Sequence, residues 1–228
     1  MGMSPAIYQA SVWILPVLIA ITFHEAAHGY VAWRLGDNTA KDLGRVTFSP
    51  FRHVDLWGTI IIPGTLLLTG AFFLFGWAKP VPVNFMNLRH PRRDMVWVAA
   101  AGPGVNLALA FASAVLLHLT PYFSADVGKW VADNLANSIL INLVLAIFNM
   151  LPLPPLDGGR VAVGLLPAPL AIQLARLERV GLLIVILALF VVPMVGREFG
   201  YNLNPLAWLV GGPVNVLYGF VMIAAGHF

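Results

Sequence analysis

Long apolar runs separated by short polar connections rich in Pro and Gly dominate the chain. Runs long enough to cross roughly 30 Å of hydrocarbon lie near residues 7–33, 56–76, 95–119, 137–153, 180–196 and 205–226, the fourth and fifth being short. Between them sit RLGDNTAKDLGR, GWAKPVPVNFMNLRHPRRD, LPLPPLDGGR and GREFGYNLNP. These connections hold most of the charge and the chain-breaking residues. The pattern predicts an all-α polytopic membrane protein of five to six transmembrane helices, with no internal repeat, low-complexity tract or soluble domain. One membrane-embedded domain is expected over 1–228, its core at about 7–165 and two further helices at about 180–226.

The second run is the ambiguous one. Pro63-Gly64 stands near its start, Gly70 in its middle and GWAKPVPVN directly after it. Cytoplasmic loops are enriched in Lys and Arg. If the run spans, the cations divide six against seven and set no orientation. If it re-enters and returns to its own side, eleven cations face two, Lys129 and Arg197. Re-entry obeys the rule, and non-helical backbone at membrane depth belongs where protein buries it or a wet cavity adjoins it. A re-entrant 56–76 beside a functional cavity is therefore expected.

Composition strengthens this picture. Hydrophobic residues make up 59% and charged residues 10% of the chain, and the mean hydropathy is +0.83, far from the balance of a soluble domain. The net charge of +3 comes from cations scattered through the connections, which read as topological anchors rather than a nucleic-acid surface. With no cysteine, thiolate sites and cysteine nucleophiles are excluded, so a metal would be held by His and carboxylate. The first residues lack the basic region of a signal peptide and run directly into HEAAH. That stretch is expected to be a retained span.

His24-Glu25-Ala26-Ala27-His28 carries the chemistry. Four residues apart on a helix, the two imidazoles share a face and can reach one zinc ion. Glu25 flanks that position, where it could take a proton from water acidified by the metal and pass it to a leaving amine. A charged residue at a helix centre in the membrane costs about 2.5 to 3.5 kcal/mol. A glutamate between two histidines after SVWILPVLIAITF is thus a functional-site hypothesis, against the alternative of a polar cluster bonding neighbouring helices.

A catalytic zinc takes three protein ligands and leaves one position open. His53 and His90 lie in basic loops, His118 stands alone on an apolar helix, and His227 is next to last. Asp157 closes the stretch NMLPLPPLDGG, where prolines break an apolar helix and glycines admit close backbone approach. A helix-ending turn capped by Asp is the competing reading. His24 precedes Arg34 by ten residues, about 15 Å of helix, and so leans towards the C-terminal side of its segment. Asp157 emerges on that same side if 56–76 re-enters.

HEAAHGYVAWRLGD, FGWAKPVPVN, AAAGPGVNLALA and FNMLPLPPLDGGR together resemble the site-2 protease family of intramembrane zinc metalloproteases, in particular its compact bacterial and archaeal members, over roughly residues 20–165. The resemblance implies one zinc ion held by His24, His28 and Asp157, with Glu25 as general base and acid. It also implies that Asn149 holds the substrate backbone near the metal, that Asn106 is a further substrate-side polar position, and that the GWAKPVPVN stretch pairs with an unwound substrate strand. An amide suits Asn149 because it both donates and accepts. Asn106, Asn142 and Asn149 have an alternative reading as interhelical hydrogen-bonders.

The implied activity is hydrolysis of peptide bonds in or near transmembrane segments of substrate proteins. The implied location is the cell (inner) membrane of a prokaryote, with the active site opening towards the cytoplasm. Many relatives carry a peptide-binding domain where this chain has only LTPYFSADVGKWVADNLANS. Partners are then transmembrane proteins or peptides and the lipid bilayer, with no nucleic acid; nothing in the sequence speaks to oligomeric state. The alternative is a non-proteolytic metal-binding or transport protein using the same His/His/Asp site. Transport would call for more ionisable groups along other helices.

Overall fold

The computed structural model describes residues 4–61, 65, 79–205 and 207–227. Its first helix, α1 (Pro5–Arg34), is 30 residues long. It starts where the Ser4 side chain accepts from the Ile7 N–H and Pro5 takes a position with no N–H to satisfy. It ends in a turn at Gly36, φ +117°, where a Cβ would press on the Asn87 carbonyl oxygen. A short helix α2 (Thr39–Asp42) follows. Next come α3 (Pro91–Leu116), prolonged by a 3-10 turn over Leu117–Tyr122, and α4 (Ala125–Asn149). Two amphipathic helices, α5 (Asp157–Leu165) and α6 (Ala168–Arg176), precede α7 (Glu178–Ile186). A π-helical stretch continues α7 into α8 (Val192–Glu198), and another leads into α9 (Gly212–Ala224). No strand occurs among the described residues.

Among the described residues, five helices are long and apolar enough to cross a membrane: Ile7–Arg34, Pro91–Tyr122, Ala125–Asn149, Glu178–Glu198 and Ala207–Ala224. The protein is an all-α integral membrane protein. Helices α1, α3 and α4 pack on one another along their lengths. Ala110 and Ala114 of α3, Ile139 and Leu143 of α4, and Val210 and Val214 from the last span form the main apolar cluster. Small residues at such seams let helix backbones approach, which matters in lipid because apolar area alone drives no association there.

The fourth apolar run was expected at 137–153, whereas α4 begins twelve residues earlier, at Ala125, and stops at Asn149. Its polar first half is helical because α1 satisfies it. Asp133 accepts from the Tyr8 hydroxyl (2.6 Å) and from Lys129 (2.6 Å), Trp130 donates to the Ser11 hydroxyl (2.9 Å), and Asn137 donates to the Val12 carbonyl (2.9 Å). Hydropathy alone misses a span whose polar side chains are paid for by a neighbour.

Most of the expected re-entrant segment 56–76, namely residues 62–64 and 66–76, lies outside the described residues, but described residues on either side of it meet. The Lys79 N–H donates to the His53 carbonyl (2.9 Å), and Arg45 donates to the carbonyls of Lys79 (2.9 Å) and Pro80 (3.3 Å). The chain therefore leaves and returns at one end of the bundle, called here the near end. There the Arg89 N–H donates to the Leu35 carbonyl (3.0 Å), and Arg160 of α5 stacks over the Phe85 ring, 5.1 Å from its centroid. Asp37 organises this layer while fully buried. It accepts from the Thr39 hydroxyl (2.5 Å) and N–H (3.1 Å), the Asn84 N–H (2.7 Å) and the Asn87 amide (3.0 Å). Burial works to raise its pKa, but these hydrogen bonds outweigh it and hold the carboxyl below its ordinary value.

Two further helices were expected at about 180–226. His118 donates from Nε2 to the Ala225 carbonyl (2.8 Å), His227 to the Ala114 carbonyl (2.7 Å), and the two imidazoles stack 4.1 Å apart. Helix α9 thus runs in the same direction as α3, with its C-terminus at the far end. The Glu178–Glu198 helix starts at the near end, and the chain turns back after it, with Leu203 against Gly196.

Two outcomes test this arrangement. Single cysteines at positions 48 and 85 in the cysteine-free chain should react with an impermeant maleimide from the same face of sealed vesicles; labelling from opposite faces would contradict it. Asp37→Ala should destabilise the protein by about 2 kcal/mol at pH 7, read as a lower melting temperature in detergent. Because the folded-state pKa is lowered, the Asp37 contribution is full above the unfolded value of about 3.9. It should fade as pH falls through the folded-state value, narrowing the gap between variant and wild type.

Candidate metal centre

Helix α1 places His24, Glu25 and His28 within its last three turns, His24 and His28 both buried. Asp157 is the first residue of α5, also buried, on the turn that follows α4. The structure brings three of these together. The Nε2 atoms of His24 and His28 are 3.0 Å apart, and Asp157 Oδ2 lies 3.1 Å from one and 3.3 Å from the other. A tetrahedral zinc ion with bonds near 2.1 Å sets its ligand atoms about 3.4 Å apart.

The ring protons decide what this triangle is. His28 Nδ1 is 2.7 Å from the Val98 carbonyl, which can only accept. His24 Nδ1 is 2.5 Å from Asn106 Oδ1. The amide orientation of Asn106 is anchored, since its Nδ2 donates to the Ala20 carbonyl (3.3 Å) and to Asn142 Oδ1 (2.7 Å). Asn142 is anchored in turn by donation to the Ser138 carbonyl (2.8 Å). Both imidazoles therefore carry their proton on Nδ1 and turn bare Nε2 lone pairs towards each other. Asp157 Oδ2 is buried without a hydrogen-bond partner. With both rings neutral, three converging lone pairs at this spacing fit a cation.

Helix α3 makes room for it. A Cβ on Gly102 would stand 2.5 Å from His28 Nε2 and 2.6 Å from His24 Nε2. Any other residue there would fill the space beside both Nε2 atoms. Glu25 is half-buried, and its Oε2 accepts from the Val81 N–H at 2.7 Å. The extended stretch 79–84 thus lies against the HEAAH turn, with Val81 buried.

Other candidates fall elsewhere. Asn106 is fully buried, and its amide bonds to His24, Ala20 and Asn142 inside the protein. Asn149, in the last turn of α4, is partly exposed and donates to the Leu145 carbonyl (3.0 Å), outside the His/Asp cluster. His53 contacts the Thr47 carbonyl, His90 precedes α3, and His118 and His227 pair at the far end. His24, His28 and Asp157 form the one cluster of metal-ligating side chains among the described residues.

The model of peptidase family M50 matches residues 12–129 and 120–192. The chain belongs to peptidase family M50. This is the site-2 protease family that its motifs resemble. Among similar proteins, "Putative zinc metalloprotease YwhC" of Bacillus subtilis is 41% identical over 185 residues, 79% of this chain and 80% of that protein. "Putative zinc metalloprotease Rip2" of Mycolicibacterium smegmatis is 28% identical over 80% of this chain and 67% of its own length. "Putative zinc metalloprotease MJ0611" of Methanocaldococcus jannaschii is 31% identical over 61% of this chain and 62% of its own. No solved structure matches it. An M50 peptidase with this donor set is a zinc metalloprotease.

Sequence reading missed Gly102, the Val98 carbonyl and the Val81 amide. Gly102-Pro103 inside an apolar helix was a visible signal, since glycine mid-helix marks close approach. The other two are backbone groups and leave no trace in residue identity. Removing the His24 partner tests the site: Asn106→Ala should weaken zinc binding about 10- to 100-fold, measured by chelator competition. Undiminished affinity would refute the orienting contact.

Proposed function

We propose that this M50 peptidase hydrolyses peptide bonds in or near transmembrane segments of substrate proteins, at a zinc centre formed by His24, His28 and Asp157. The observation that carries the reading is the triangle of bare Nε2, Nε2 and Oδ2 atoms beside Glu25, in an apolar helix. Zinc, when bound there, supplies a Lewis acid that polarises the scissile carbonyl and acidifies water. Val81 holds one oxygen of Glu25. The other oxygen, Oε1, takes the proton of the attacking water and delivers it to the leaving nitrogen. Nδ1 bonds to Asn106 and Val98 keep both imidazoles aimed at the metal, which makes Asn106 an orienting group. Asn149, partly exposed at the end of α4, has an amide suited to a substrate backbone.

The near end, rich in Lys and Arg, faces the cytoplasm of a prokaryotic cell membrane in this reading. The whole chain then acts as one peptidase unit, with substrates that are membrane-embedded proteins. Glu25→Gln should leave zinc content unchanged and lower cleavage of transmembrane peptides at least 10²-fold. Wild-type protein that binds zinc yet cuts none of a broad panel would favour metal handling instead.

A further inference from the structure

The sequence leaves the Glu178–Glu198 helix without a role, and the structure gives it one close point of contact with the site. Only 11% of its apolar window is buried, against 33% in α1 and α3. Near its start, a Cβ on Gly181 would overlap the Pro154 carbonyl and crowd the Pro155 ring. Pro154 and Pro155 belong to the turn that delivers Asp157. The start of α5 packs closely on the same turn: a Cβ on Gly158 would overlap the Met150 and Leu151 carbonyls, and one on Gly159 the Pro154 nitrogen. Internal bonds from the Leu156 N–H to the Leu153 carbonyl (2.9 Å) and from the Gly159 N–H to the Leu156 carbonyl (3.0 Å) close it. Arg160 and Glu178 (3.4 Å) tie α5 to the start of α7.

We infer that Gly181 is a positioning residue for the metal centre: through it the Glu178–Glu198 helix wedges the Pro154–Pro155 turn and fixes where Asp157 stands. The inference deepens the proposed reading and rests on Asp157 being a zinc ligand. Its physical basis is the tolerance of the site. Zinc ligand bonds accept about 0.2 Å of error, and Asp157 is three residues from Pro154, so little chain is available to absorb a displacement. A side chain at position 181 must move either the helix or the turn. The helix has little other packing to hold it, yet its ion pair and α6 keep its start near α5, so part of the shift passes to the turn.

The test is chelator competition on purified full-length protein in detergent, comparing wild type with Gly181→Ala, Gly181→Val and Leu183→Val, the last being exposed on the same helix. Gel filtration and circular dichroism report folding. Zinc should be lost at a chelator concentration at least tenfold lower for Gly181→Val, with a smaller shift for Gly181→Ala and none for Leu183→Val. Added zinc should restore cleavage of a transmembrane peptide, a rescue that general structural damage would not show. If Gly181→Val does not fold, Gly181→Ala alone decides by the same shift and rescue. Wild-type affinity in a folded Gly181 variant, an equal loss in Leu183→Val, or loss without rescue overturns the inference. Asp157→Ala is measured in parallel: if it retains zinc, the ligand assignment fails first; if it loses zinc while the Gly181 variants do not, only the brace fails.

Discussion

Three lone pairs held within about 3.3 Å of one another, with both Nδ1 protons committed elsewhere, repel unless a cation joins them. Much of the molecule exists to hold that arrangement. Asn106, Asn142 and Ser138 form a buried chain that fixes one imidazole, and the Val98 carbonyl fixes the other. Gly102 keeps the space between α1 and α3 open. In lipid each of these polar atoms would be costly alone; bonded in sequence, they satisfy one another and rigidify the helix seam that carries them.

The near end solves a different problem, bringing segments distant in sequence to one surface. Asp37 gathers the ends of α1, α2 and the 84–87 turn, while Arg45 binds the 79–80 backbone. Buried Asp37 and Arg45 therefore serve as structural hubs in loops, where hydrophobic packing is thin. Through Val81 this layer reaches Glu25, so the loop scaffold and the HEAAH turn form one unit.

What the sequence disclosed follows from what side chains encode. HEAAH and NMLPLPPLDGG announce donor chemistry, and the skew of Lys and Arg gives an expected sidedness. The early start of α4 was hidden because the partners of Asp133, Trp130 and Asn137 lie on α1, more than a hundred residues away. The Val81 and Val98 contacts were hidden because backbone groups are the same in every residue. The direction of α9 was hidden because it depends on His118 and His227, each of which reads alone as an isolated histidine.

The separation of the ligands along the chain has a consequence for biogenesis. His24, Glu25 and His28 enter the membrane with the first helix, whereas Asp157 arrives only after α3 and α4 have been made and have packed. A nascent chain thus carries Glu25 and two imidazoles without the Asp157 carboxylate. If the three side chains hold zinc as proposed, an unfinished chain lacks the complete ligand set and has no assembled centre.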